Sequence, residues 1–287
     1  MQWPPPDDWP NAGISRQVMS RPHRWHVQET GTGPLILLLH GAGGSTHSFR
    51  ALIPILAESF DVVAIDLPGQ GFTQLGARHR CGLDAMAEDV LALCTHEGWQ
   101  PKAIIGHSAG GALALRLSGS LLSPRGHPPA IIGINAALDK FQGLAGVLFP
   151  VLAKLLAAVP FTARVFSATS GTPARVSALI RGTGSELDSE GLDLYRRLVA
   201  DRDHADATLL MMAQWELDGL LKSLPGLTAR TLLIAGERDK TVPPDVSQKA
   251  AQQIPGAAFV LLKDVGHLAH EEDPERVARH ILDFLEN

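Results

Sequence analysis

Cysteine is scarce: only Cys81 and Cys94 occur in 287 residues, and both fall in or beside one predicted helix. Two thiols so placed make no disulfide framework and read as free thiols of a reducing compartment. An excess of positive charge is missing as well. The net charge is −5 and the pI near 6.2, which excludes the basic footprint of a nucleic-acid partner. Long apolar runs are lacking, because Pro, Gly or Lys interrupts each candidate for a spanning helix. Met1 to Pro10 has neither a basic n-region nor an apolar h-region, so it does not read as a signal peptide. Together these absences point to a cytoplasmic location. What remains is 45% hydrophobic and 19% charged, the balance of a globular chain with a sizeable core.

Residues 1–13 read as a flexible arm, since Pro4, Pro5, Pro6 and Pro10 oppose regular structure. Short strands are predicted at Arg16–Met19 and Arg24–Gln28, about a turn at Arg21-Pro22. A strand–helix rhythm follows. Leu35–Leu39, Asp61–Ile65, Ala103–Ile105 and Ala130–Ile134 are aliphatic runs between turn residues, the pattern of strands covered on both faces. Helices are predicted between them, at about His47–Glu58 behind a Ser45 or Thr46 cap, at Leu83–His96, and from the turn after Ile105 to about Leu122. From about 139 to 227 the pattern is helical with no strand. The rhythm resumes with a strand at Thr231–Ala235, a helix at Val246–Ile254, a strand at Phe259–Leu262, and a final helix begun by Pro274. The expected fold is α/β: a mostly parallel, doubly wound sheet with an inserted helical cap. Core segments 1–138 and 228–287 flank a cap at 139–227.

Ligands bind such sheets at the carboxyl ends of the strands. The residues just past those ends are His40-Gly41-Ala42, Asp66, Ser108, Asn135, Asp239 and His267. Gly106-His107-Ser108-Ala109-Gly110 fits the G-x-S-x-G elbow, in which a strand turns sharply into a helix and lifts a serine above the sheet. A serine hydroxyl is a weak nucleophile until an imidazole takes its proton. His267 follows the last strand and can be that base. Asp239 can hold the other ring nitrogen, with Asp139 as the reserve acid. The N–H groups of Ala42 and Ala109 would form an oxyanion hole. His40 reads as structural, His107 as part of the elbow wall, His270 as solvated or supporting, and Asp66 as the clasp of its own loop.

Other chemistries lack their parts. An aspartate nucleophile is excluded because Ser108 holds the position. His267, His270 and Glu271 lack the H-E-x-x-H register, so no metal is expected. No Gly-Lys-Ser/Thr follows Gly41–Gly44, so a phosphate loop is excluded. No cofactor is implied. The cap stretch Phe141–Phe166 is very apolar and carries a stripe that includes Leu148 and Leu152. With Asn135, Met211 and Trp215 these are the candidate substrate-pocket residues, suited to a bulky apolar ligand or to contact with a membrane surface.

The chain resembles the α/β-hydrolase superfamily from about Arg24 to its end, through the elbow, the His40–Gly44 loop and Asp66-Leu67-Pro68-Gly69-Gln70-Gly71-Phe72. Thr183-Gly184-Ser185, Met211-Met212-Ala213-Gln214-Trp215 and Gly266-His267-Leu268-Ala269-His270-Glu271-Glu272 narrow the resemblance to the magnesium chelatase accessory proteins of bacteriochlorophyll biosynthesis. That resemblance implies a role beside magnesium insertion into a tetrapyrrole in a photosynthetic bacterium. Chelatase subunits would be partners, and a tetrapyrrole, its ester or a lipid the ligand. It leaves three functions open: a serine hydrolase, a non-catalytic accessory protein that keeps the triad, and a general carboxylesterase.

Overall fold

The structure is a computed structural model that describes residues 1–139 and 171–286. The expected strands form as β1 Ser15–Ser20, β2 His23–Gly31, β3 Leu35–Leu39, β4 Asp61–Ile65, β5 Ala103–His107, β6 Ala130–Ile134, β7 Thr231–Gly236 and β8 Ala258–Leu262. They make one sheet in the order β1-β2-β4-β3-β5-β6-β7-β8. β1 and β2 form an antiparallel hairpin, β2 runs antiparallel to β4, and the strands from β4 across to β8 are parallel.

From β3 the chain steps outward to β4 and then returns past β3 to β5. The direction of winding reverses there, the place at which open α/β sheets bind their ligands. Leu39 of β3 pairs with Gly106 of β5, so the His40–Gly44 loop and the elbow leave the sheet side by side.

Among the described residues the helices are α1 Leu52–Leu56, α2 Leu83–Glu97, α3 Ala109–Leu117, α4 Pro173–Gly182, α5 Ser189–Ala200, α6 Arg202–Gln214, α7 Asp218–Ser223, α8 Pro244–Gln253, α9 Ala269–Glu272 and α10 Pro274–Glu286. Alternate strand residues point to opposite layers. Leu37, Leu39, Ile104 and Leu233 bury with Met86 and Val90 of α2 and Leu113 of α3. Ile36, Leu38, Ile105 and Ile234 bury with Leu52 of α1 and Val277 and Ile281 of α10. Each such side chain contributes about 1.5–3 kcal/mol on burial, which is why these strands have no polar face. Helices α4 to α7 lie between β6 and β7 in sequence.

Three expectations differ from the fold. The helix expected over His47–Glu58 is a 3-10 turn, Thr46–Phe49, followed by the short α1. Pro54 has no N–H to bond back to Arg50, so it sits in the first turn of α1, where no donor is needed. Helix α3 stops at Leu117 rather than near Leu122. There the Ser118 hydroxyl donates to the Leu115 carbonyl at 2.7 Å, and Gly119 follows. The arm at residues 1–13 is packed. Trp9 is only 2% exposed and lies edge-on to Phe72 with ring centroids 5.1 Å apart, while Asp8 pairs with Arg197 of α5. Cys81 and Cys94 are free and buried, and burial pushes their thiols up to about 11 and about 12. Among the described residues, no helix is long and apolar enough to cross a membrane.

Candidate active site

Ser108 stands between β5 and α3 with φ 52° and ψ −117°, a conformation that costs a non-glycine residue about 1–3 kcal/mol. Neighbouring backbone holds it there. Ser108 N–H donates to Ile134 O at 2.9 Å, and Ser108 O accepts from Gly111 and Ala137 N–H at 3.0 Å each. Gly106 and Gly110 make the turn possible. A Cβ on Gly106 would lie 2.1 Å from Gly110 O, and one on Gly110 would lie 2.1 Å from Leu39 O. Ala109 opens α3, so its N–H has no partner within the helix. The His40–Gly44 loop packs against the serine: a Cβ on Gly41 would be 3.0 Å from Ser108 Cβ.

His267 and Asp239 meet across the neighbouring strand ends. His267 Nδ1–H donates to Asp239 Oδ2 at 2.7 Å, and both residues are buried. The carboxylate accepts three more bonds. Thr241 and Val242 N–H reach Oδ1 at 2.8 Å each, and Asn135 Nδ2–H reaches Oδ2 at 2.7 Å. Four donors thus fix both oxygens, and Asp239 rather than Asp139 is the partner of His267.

The loops around Ser108 are tied to the sheet and the cap by buried polar side chains. His40 Nε2 accepts from Leu67 N–H at 2.8 Å, so the proton is on Nδ1, which donates to Gly41 O at 2.8 Å. Burial holds this imidazole below its ordinary range, in keeping with a structural neutral ring. Asp66 accepts from His26 Nδ1 at 2.6 Å, Thr46 N–H at 2.7 Å and Phe72 N–H at 2.8 Å. Burial alone would raise its carboxyl, but His26 and the hydrogen bonds outweigh burial and hold it well below the usual range.

Gln70 reaches both ways. Its Oε1 accepts from Gly43 N–H at 2.7 Å, and its Nε2 donates to Met211 Sδ of α6 at 3.1 Å. His204 of α6 accepts from Gly71 N–H on Nδ1 at 3.0 Å and donates from Nε2 to Gly43 O at 3.2 Å. No periodicity or motif marks His204. It lies in a helix of ordinary pattern, and only the docking of α6 reveals its task.

Burial holds His204 at about 4, below its ordinary 6.5. Between those values the unfolded chain binds the proton and the folded chain does not, so stability falls as pH drops from 6.5 toward 4. Urea midpoints at pH 7 and pH 4.5 test this. The loss on acidification is expected to be about 2 kcal/mol smaller in His204→Gln than in wild type. Equal losses would show that this ring does not stay neutral in the folded state.

The expected pocket residues are placed as follows. Asn135 is fully buried, with φ 48°, and its amide donates to Asp239. Its position directly after a strand, together with the tolerance of Asn for positive φ, was the available signal. Met211 is buried in the core beside Gln70, and Trp215 packs partly buried against the same core layer. Leu148 and Leu152 lie outside the described residues. His270 is not solvated. It is fully buried, its ring centroid lies 4.4 Å from that of His107 with the planes tilted by 42°, and burial pushes it down to about 3. His107 forms the elbow wall and bonds His267 O through Nε2 at 2.9 Å. Among the described residues no group of His, Cys, Asp and Glu converges as a metal site.

A winding reversal, a strained strand-to-helix serine and a buried Asp–His pair on later loops define a hydrolase-type scaffold. The alpha/beta hydrolase family model matches residues 36–280, and the chain belongs to this family. The chain is also 44% identical over 283 residues to the magnesium-chelatase 30 kDa subunit of Rhodobacter capsulatus, with 98% of each chain covered. It is 29% identical over 269 residues to a pimeloyl-[acyl-carrier protein] methyl ester esterase of Stenotrophomonas maltophilia, covering 91% of this chain and 97% of the esterase. An alpha/beta hydrolase fold protein from Burkholderia ambifaria superposes with a TM-score of 0.78 at 22% identity, over 94% of this chain and 97% of that one.

Proposed function

We propose that the chain is a serine hydrolase that acts on a bulky apolar ester in support of magnesium insertion into a tetrapyrrole. The observations that carry this reading are the strained Ser108 just past β5 and the saturated Asp239–His267 pair, whose loop is tied to the elbow by His107 Nε2 and His267 O at 2.9 Å. Ser108 Oγ attacks the ester carbonyl while its proton passes to His267 Nε2, the nitrogen opposite the one bound by Asp239. The oxyanion is held by the N–H groups of Ala42 and Ala109. On collapse the alkoxide leaves with the proton from His267, giving the acyl-enzyme. Water then repeats the cycle and frees the acid. The apolar stretch between residues 141 and 166 supports a bulky apolar substrate.

The relation to a magnesium-chelatase subunit supports an accessory role and favours a second reading, a non-catalytic partner of the chelatase. Two measurements separate them. Under the first reading a fluorophosphonate probe labels wild type but not Ser108→Ala, and Ser108→Ala fails to restore pigment synthesis in a deletion strain. Restoration at the wild-type level by Ser108→Ala would sink the hydrolase reading and leave the accessory one.

A further inference from the structure

The segment Thr183–Glu186 joins α4 to α5 and threads between the acid loop and the base loop. Thr183 O accepts from Lys240 N–H at 3.0 Å. Gly184 has φ 88°, and a Cβ there would fall 1.9 Å from Arg238 O, so only a bare backbone fits. Ser185 is fully buried, and its Oγ accepts from Leu268 N–H at 2.8 Å. Glu272 closes the other side, with Oε1 accepting from Gly266 N–H at 2.9 Å and Oε2 from Glu186 N–H at 3.2 Å. Arg238 and Lys240 flank Asp239 in the chain, and Gly266 and Leu268 flank His267. Every backbone neighbour of the pair therefore meets this segment or the carboxylate bound to it. Tyr195 of α5 adds a second tie to the base loop, donating to the buried Glu271 at 2.7 Å, and Glu271 also pairs with Arg50.

We infer that Thr183–Glu186 is a positioning element of the Asp239–His267 pair, so that acid and base are aligned only while α4 and α5 are seated on the sheet. Displacement of these helices, by substrate entry or by a bound partner, uncouples the pair. The catalytic consequence rests on the serine-hydrolase reading, whereas the alignment itself does not.

The test therefore carries two readouts on the full chain. The first is the low-field proton resonance of the His267 Nδ1–H···Asp239 bond, assigned by its absence in His267→Gln. The second is the rate of fluorophosphonate labelling. Ser185→Ala and Glu272→Ala are expected to shift or broaden the resonance and to slow labelling about tenfold or more. Glu272→Gln keeps an acceptor for Gly266 N–H but turns a donor toward Glu186 N–H, so it is expected to restore both readouts in part. If Ser185→Ala fails to fold cooperatively, the two Glu272 variants decide. An unmoved resonance in Ser185→Ala and Glu272→Ala would overturn the inference. A resonance that responds as expected in a chain that never labels would support the positioning role and overturn the hydrolase reading.

Discussion

Ser108→Ala is expected to lower turnover of a cleavable apolar ester by about 10⁶-fold, because the acyl-enzyme cannot form. A residual acceleration of about 10³–10⁴ over water survives from the oxyanion donors and from binding. Asp239→Asn is the informative companion, with an expected loss of about 10⁴-fold. The Asp239 oxygens accept four N–H groups, from His267, Asn135, Thr241 and Val242. An asparagine replaces one of those oxygens by a donor nitrogen, so two of the four donors must face another donor. If the amide turns its nitrogen to His267, the imidazole is driven into the wrong tautomer. If it turns the nitrogen to Thr241 and Val242, the acid loop loses its anchor. Steady-state hydrolysis with a short acyl ester and with a long one measures both variants. A loss under tenfold in either would mean that Ser108 and Asp239 are not the working parts of this site.

Asp66→Ala is expected to cost about 3–5 kcal/mol, the range for removing one partner of a buried pair. Asp66 and His26 are both fully buried, and the substitution also strands Thr46 and Phe72 N–H. Urea denaturation at pH 7 reads the loss. The same residue sets an acid limit distinct from that of His204. Its folded carboxyl is held below its ordinary 3.8, so its contribution is present above that value and is lost as pH falls below it. The His204 contribution is lost earlier, between pH 6.5 and about 4. Wild-type stability should therefore decline through both ranges, and Asp66→Ala should lessen the loss below pH 3.8, which Asp89 and Asp201 share. A cost near 1 kcal/mol would show that the Thr46–Phe49 turn and the Phe72 loop hold without the carboxylate.

Local rules made much of this molecule legible in its sequence. The central strands β3 to β7 follow from short apolar runs ended by turn residues, because a strand buried on both faces admits few polar side chains, while β2 follows from alternation. The elbow is equally local: glycines two residues either side of Ser108 are where a Cβ meets backbone. Legibility ended where partners lie far apart in the chain. Helix limits at Pro54 and Ser118 depended on single hydrogen bonds. The arm was read from its prolines as free, yet Trp9 found a neighbour in Phe72.

Read alone, the sequence already held the strands, the expectation of a doubly wound sheet and the order Ser108, Asp239, His267, since periodicity and turn chemistry act over a few residues. Tertiary structure supplied the strand order with its winding reversal, the pairing of Asp239 rather than Asp139 with His267, and the bond from Asn135 to the acid. It also decided that His204 and Ser185 bind the cap to the loops around the serine. The physical reason is the same in each case. A buried hydrogen bond needs two groups within about 3 Å, and groups separated by 28 to 161 positions in the chain reach that distance only when the layers pack.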